Sequence, residues 1–361
     1  MHVLGSKAHG ARLERILGSP RFKDGVFHNT LGVKQGLKKG TGVATMREFM
    51  FGGKRRVPTG AFPIVNPLEQ WQRPVDSGLR ATWLGHSTVL LEIDGMRVLT
   101  DPVWGERVSP VAFAGPKRFH PAPVSIDALP PLDAIVVSHD HYDHLDYPTI
   151  LQFASHDVPF ITSLGVGAHL EAWGVPADRI FELDWWESHS IGGLTFTAAP
   201  SQHFSGRGVA DRNRTAWSSI AIRGPHHAVF FSGDTGLTDE YSEIRRRLGP
   251  FDLVMLEVGA WHPSWGDIHL GPENALRAHE LLGGGAFLPV HWGTFNLAIH
   301  AWDEPAEQLV KLARSSSPLV MPRLGQPIEP HHVQSIDPWW REVEEKETEP
   351  APIEAVTEPV D

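Results

Sequence analysis

The sequence predicts an α/β protein, and three features carry that prediction. From Arg80 onward, short runs rich in Val, Ile, Leu and Phe interleave with stretches whose apolar residues fall at helical spacing. The chain has 35 Gly and 30 Pro in 361 residues, so turns are many and helices modest in length. A hydrophobic fraction of 41% is ample for a core.

Taken in order, residues 1–75 read as an irregular and partly helical arm packed on the main domain. "SPRFKDGVFHNT" and "VPTGAFPIVNP" are turn-rich. Between them lies "TGVATMREFMFGGKRR", where Val43, Met46, Phe49 and Met50 are spaced as on a helix and Lys54 to Arg56 follow. A short helix covering the main domain is expected; the alternative is an interfacial membrane contact, where a basic cluster sits beside apolar groups. The main domain is placed at 76–340. "ATWLGHSTVLLEIDGMRVLTDPVW" reads as three strands with a turn at Asp94–Gly95. "AIVVS", "PFITS", "GLTFTAAP", "AWSSIAIRG", "HAVFFSGD", "FDLVMLE" and "AFLPVHW" are further strands. "LTDEYSEIRRRLG" and "GPENALRAHELLGGG" are helices, the second with Pro near its start and glycines past its end. Residues 341–361 read as a disordered tail: from Glu342 on there are eight acids and one lysine, Pro-rich and without an apolar face.

Charge and composition exclude several classes. The net charge of −11 argues against nucleic acid as a partner. With no cysteine, disulfides are impossible and any metal must be held by His and carboxylates. The N-terminus is broken by charge and glycine and lacks the apolar core of a signal peptide. No apolar run approaches the ~20 residues that span a bilayer. A cytoplasmic protein is expected, with peripheral membrane contact as a variant. The 13 Trp fit a large core, or an amphipathic surface for a greasy substrate.

The chemistry sits where strands end. "AIVVSHDHYDHLD" (134–146) supplies His139, His141, Asp143 and His144. His203 follows "LTFTAAPSQ", Asp234 follows "HAVFFSG", and His291 follows "AFLPV". Packing alone does not ask for this, whereas loops at strand ends are where function is usually placed. A tight H-x-H-x-D-H turn presents ligands to two sites at once. His139 and His141 serve a first metal, completed by His203. Asp143 and His144 serve a second, completed by His291. Asp234 is shared, as a carboxylate can be by ions ~3.5–4 Å apart. Imidazole and carboxylate suit two Zn²⁺, with Mn²⁺ or Fe also accepted.

These motifs resemble the metallo-β-lactamase superfamily, which implies a four-layer αββα sandwich with two metals in a cleft at its edge. "TWLGHSTVLLEIDGMRVLTDPVW", "SPVAFAGPKRF", "VVSHDHYDHLD", "SQHFSGRG", "SGDTG" and "PVHWGTF" together resemble the N-acyl-phosphatidylethanolamine-hydrolysing phospholipase D family across residues 80–310. That resemblance implies a phosphodiesterase acting through a hydroxide between the metals, releasing phosphatidate and an N-acylethanolamine. The resemblance puts His269, in "DIHLGPENA", near the substrate phosphate; from the chemistry itself, Asp143 and the shared Asp234 are also taken as catalytic, Asp143 as a group that can hold or accept the nucleophile's proton. Asp101 resembles the aspartate that orients the metal-binding turn; Asp146 could do likewise, and either could instead cap the next turn. His86 is open between approaching the metals and being a buried hydrogen-bonded histidine. Lys117 and Arg118 could meet a phosphate or be a solvated pair, and Ser205–Gly208 could be a substrate loop or a turn. Asp140 is expected to have no metal role.

The implied partner is a phospholipid or a small-molecule phosphodiester, and the oligomeric state is not legible. The alternative to the lipid enzyme is a dizinc hydrolase of a small soluble substrate, a sugar-phosphate lactone or phosphodiester. A non-catalytic binder on this scaffold would have lost ligands, and all seven are present. A lipid enzyme needs an apolar trench, for which Trp261, Trp265 and Phe295 are candidates.

Overall fold

The computed structural model describes residues 2–32, 36–52, 54–313, 318–333 and 335–343. The arm holds α1 (Gly10–Gly18), a hairpin of β1 (Phe22–Lys23) and β2 (Val26–Phe27), α2 (Gly42–Phe51) and the single turn α3 (Leu68–Trp71). The first half of the body runs β3 (Leu79–Gly85), β4 (Thr88–Ile93), β5 (Met96–Thr100), β6 (Ala134–Val137), α4 (Tyr147–Phe153), β7 (Phe160–Ser163), α5 (Gly167–Ala172) and β8 (Ile180–Leu183). The second half runs β9 (Ser188–Ile191), β10 (Leu194–Ala199), β11 (Ser219–Arg223), β12 (Ala228–Phe231), α6 (Glu240–Leu248), β13 (Leu253–Glu257), α7 (Gly271–Leu282), β14 (Ala286–Val290), α8 (Glu304–Leu312) and β15 (Pro327–Ile328).

The strands form two large sheets, ordered β15-β3-β4-β5-β6-β7-β8 and β14-β13-β12-β11-β10-β9. In each, a set of antiparallel strands passes into a parallel set: β5 to β8 in the first, β12 to β14 in the second. Parallel neighbours need a crossover: α4, α5, α6 and α7 provide four of the five, and the long segment 101–133 joins β5 to β6. Side-chain alternation then settles the layers. Val89, Leu91 and Ile93 of β4 and Ala134 and Val136 of β6 join a core shared with Phe196, Ile220 and Phe231 of the second sheet. The intervening Leu90, Ile135 and Val137 pack instead with Ile150 and Phe153 of α4 and Leu170 of α5. The far side of the second sheet is covered by Tyr241 and Ile244 of α6, Ala275 and Ala278 of α7 and Leu309 of α8. The order is helix, sheet, sheet, helix, as the family resemblance implied.

All ten expected strands form, mostly with trimmed ends, though β3 begins two residues earlier, at Leu79. The strands the sequence did not show are short or poorly patterned. β8 and β9 have only two fully buried residues between them, so neither carries a clean apolar run. α4 and α5 span 7 and 6 residues, too short for a helical period to declare itself.

The arm is tied to the body at named points. Arg21 pairs with Asp184 at 2.7 Å, and Arg12 with Glu171 at 2.6 Å and with Glu182. The stretch before α2 donates Lys38 N–H to Ser264 O at 2.7 Å, and Glu48 of α2 meets His262 at 3.0 Å. Trp339, Trp340 and Val343 are buried at the chain's last described turn. The rest of the expected acidic tail, 344–361, lies outside the described residues. Among the described residues no helix is long and apolar enough to cross a membrane.

Candidate metal centre

The sharp turn after β6 is anchored before it offers any ligand. Asp101, following β5, accepts Ser138 N–H and Ser138 Oγ–H, each at 2.7 Å, and receives His144 Nδ1–H at 2.6 Å. Because the Ser138 hydroxyl proton goes to Asp101, Ser138 Oγ accepts from His139 Nδ1 at 2.9 Å. His203 Nδ1–H donates to Ile268 O at 2.9 Å. Each of these bonds fixes a tautomer and turns the lone pair of Nε2 toward one small volume. Asp101 therefore orients the turn, while Asp146 serves the start of α4, bonding Thr149 Oγ1 and Gly105 N–H.

Seven sequence-predicted residues converge. His139, His141, His203 and Asp234 offer atoms within 4.8 Å of one another, and so do His86, Asp143, His144 and His291. Asp234 joins the two groups. Its Oδ2 lies 3.8 Å from His139 Nε2 and 3.6 Å from His203 Nε2, and its Oδ1 lies 3.2 Å from both His144 Nε2 and His291 Nε2. His141 Nδ1 sits 2.9 Å from His139 Nε2 and 3.2 Å from His203 Nε2. Asp143 Oδ2 is 3.3 Å from His291 Nε2 and 3.6 Å from His144 Nε2. Ligand atoms around a tetrahedral zinc ion stand about 3.3 Å apart, given metal–ligand distances of ~2.0–2.1 Å. The observed spacings straddle that value.

Buried polar atoms give an independent test of fit. His144 Nε2, His291 Nε2 and Asp234 Oδ1 are buried without a hydrogen-bond partner. Such atoms cost ~1–3 kcal/mol each unless something binds them, and a cation between them supplies that. Charge points the same way. Burial, with His144 and His141 beside it, holds His139 well below the usual imidazole range, leaving it neutral and ready to ligate. Burial also opposes charge on His291, but Asp234 and Asp143 outweigh it and raise that ring to about 10. Without a metal, the carboxylates draw protons onto these rings; a metal takes the protons' place.

His86 resolves into both of its readings. It is buried, burial and His291 push it down to about 3, and its Nε2–H donates to Asp143 at 3.0 Å. Its ring lies 4.0 Å from that of His291 and 5.2 Å edge-on to Phe295. His269 lies beside the centre with its ring 5.0 Å from His203 and Nδ1 2.9 Å from Glu257. Burial works against its charge, but Glu257 raises it above the ordinary histidine value. Glu257 was missed in the sequence, though it ends the run "LVMLE" as the other strand-end groups end theirs. It is fully buried and also takes Thr235 N–H at 2.9 Å and Leu270 N–H at 3.2 Å.

Other residues fall in supporting positions. Asp140 faces away from the centre, taking Thr215 Oγ–H at 2.8 Å and Gly206 N–H at 2.7 Å. Arg207 of the Ser205–Gly208 stretch donates to Asp140 O and Leu145 O, so this loop braces the turn. Asn29 of the arm brackets His203, accepting its N–H at 3.1 Å and donating to its C=O at 2.8 Å. No pattern in the sequence announced that contact. Lys117 is exposed and paired with Glu106 at 2.8 Å, whereas Arg118 is buried against Phe295. Trp261 and His269 line a polar cavity of about 250 Å³, and Trp265 lines both this and a larger, mostly apolar cavity of about 850 Å³.

Residues 96–292, more than half the chain, match the family model described as the beta-lactamase superfamily domain. The chain belongs to this superfamily. Within the beta-lactamase superfamily it is similar to an uncharacterized protein of Mycobacterium tuberculosis, 49% identical over 289 residues that cover 79% of this chain and 77% of that one. It is similar to the N-acyl-phosphatidylethanolamine-hydrolyzing phospholipase D 1 of Caenorhabditis elegans, 39% identical over 250 residues, 66% of this chain and 70% of the relative. An isothiocyanate hydrolase from Delia radicum gut bacteria shares the fold, with a TM-score of 0.57 at 22% identity over 69% of this chain and 98% of its own. The protein is thus a metal-dependent hydrolase with the metallo-β-lactamase fold.

Proposed function

We propose that the protein is a dinuclear zinc phosphodiesterase of phospholipase D type, cleaving N-acyl-phosphatidylethanolamine or a related phospholipid. The observation that carries the two-metal part is the division of Asp234, with one oxygen toward His139 and His203 and the other toward His144 and His291. The seven candidate ligands are His139, His141 and His203 for one ion, Asp143, His144 and His291 for the other, and Asp234 for both. Two zinc ions bound there supply a water that is acidic near neutral pH and positive charge facing the phosphoryl oxygens. The chain's own groups do the rest. In this reading Asp143, whose Oδ2 accepts from His86 Nε2–H, takes the proton of the attacking water. His269, held by Glu257 and drawn toward its protonated form, presents its other nitrogen to the phosphate and the departing oxygen. Attack of water at phosphorus breaks the bond to the ethanolamine oxygen and leaves phosphatidate.

The identity to the worm enzyme supports the lipid, as does the apolar cavity beside Trp265. The small polar cavity around His269 favours a second reading, a soluble phosphodiester or sugar-phosphate lactone. Mass spectrometry of products from zinc-loaded protein and N-acyl-phosphatidylethanolamine separates them, with Asp143→Asn as control. Phosphatidate and N-acylethanolamine are expected from the wild type only. No lipid turnover by protein that holds two metals would discard that substrate in favour of the soluble one.

A further inference from the structure

Helix α2 carries more exposed apolar surface than the metal centre accounts for. Of its ten residues only Thr45 is buried. Val43 is 87% exposed, Met50 58% and Phe51 76%, and Phe113, beside the loop residues that wall the large cavity, is 84% exposed. Single apolar side chains on a surface need no explanation, but a run of them on one helix marks a contact. The charge around them is the reverse of the chain's. Residues 36–58 hold six Lys or Arg and one Glu, in a chain of net charge −11.

We infer that α2 and the Phe113 loop form a docking surface for an anionic phospholipid bilayer, with the helix lying in the interface and its basic flanks on the headgroups. Apolar side chains flanked by cations have the character of an interfacial helix, and cations near a bilayer gain from its negative potential. A second copy of the chain is the poorer occupant, because a two-fold contact would set this cationic patch against itself. Lys54–Glu304 at 3.2 Å and Lys117–Glu106 at 2.8 Å are solvent-facing pairs, which contribute little and can exchange for lipid phosphate, whereas Arg55 meets the half-buried Asp303 at 3.3 Å. The cavity of about 850 Å³ lies under this surface, walled by Met46 and Phe49 of α2 and by Leu297 and Ile299. Through Trp265 it adjoins the cavity that holds His269. The inference deepens the phospholipid reading by naming the side from which substrate arrives, but its test needs no turnover.

The test is cosedimentation of the full chain with vesicles of phosphatidylcholine alone or with phosphatidylglycerol added, at low and high salt. Binding is expected to be at least tenfold stronger to the anionic vesicles and to weaken with salt. A Val43→Ser/Met50→Ser/Phe51→Ser variant is expected to lose at least tenfold of that binding, with unchanged circular dichroism and zinc content. Equal binding by variant and wild type would overturn the inference. So would a wild-type dimer that the variant abolishes while neither binds vesicles. Hydrolysis of micellar N-acyl-phosphatidylethanolamine separates the two proposals: turnover without vesicle binding rejects only the surface, and vesicle binding without turnover rejects only the substrate.

Discussion

Asp234 is placed to do two jobs at once, since each of its oxygens faces a different set of imidazoles. Asp234→Asn keeps the shape but removes the charge that both groups share. On the proposed two-zinc reading, zinc content by elemental analysis should fall from two per chain to below one. Asp101→Asn acts one step out, through His144 and Ser138. Loss of such an outer partner typically weakens metal binding ~10–100-fold, which competition with a chelator measures. Glu257 separates chemistry from metal binding. Glu257→Gln should lower turnover by roughly 10²-fold, the lower range for loss of an acid–base partner, while zinc content and KM stay as they are. A drop in zinc content equal to that of Asp234→Asn would place Glu257 among the metal's own supports instead.

Among the elements, the arm is part of the centre rather than an attachment to it. Asn29 stands immediately after the β1–β2 hairpin and satisfies both backbone polar groups of His203, and its Oδ1 also accepts Trp217 Nε1–H at 3.0 Å. Asn29→Ala removes both of these hydrogen bonds, at a cost of ~1–3 kcal/mol where a buried polar group goes unsatisfied. Chemical denaturation should show that loss, and it should come with weaker zinc binding if His139, His141 and His203 form one of the proposed sites. Wild-type stability in the variant would mean the arm is dispensable to the site. Strands behave differently, because their ends hold the candidate ligands by position. β6, β12 and β14 lie in the parallel parts of the two sheets, and their C-terminal ends deliver His139, Asp234 and His291. His291 also sits at φ 63, a conformation that costs a non-glycine residue strain and that the surrounding packing must enforce.

At the scale of the whole molecule, buried neutral histidines outside the candidate metal centre tie stability to pH. Burial, with Arg118 beside it, depresses His120 to about 3, and burial depresses His300 to about 4. The unfolded rings titrate near 6.5, so between 6.5 and those lower values the unfolded chain binds more protons. The stability from keeping these rings neutral is complete above about pH 6.5 and is lost as pH falls toward 4, at up to ~1.4 kcal/mol per pH unit per ring. Urea unfolding at pH 7 and pH 5 should show a smaller difference in His120→Asn than in the wild type. The sequence by itself determined the α/β class, the strands that hold the core and the seven residues at strand ends, because apolar period and strand-end chemistry are local and each is written in a few consecutive letters. It could not show that Glu257 serves His269, that His86 bonds Asp143, or that Asn29 brackets His203, since these partners lie 12, 57 and 174 residues apart. Nor could it set the short strands β8 and β9, whose pairing rather than composition makes them strands. Those were decided by the tertiary structure, which alone brings distant polar groups into one dry volume where each must find a partner.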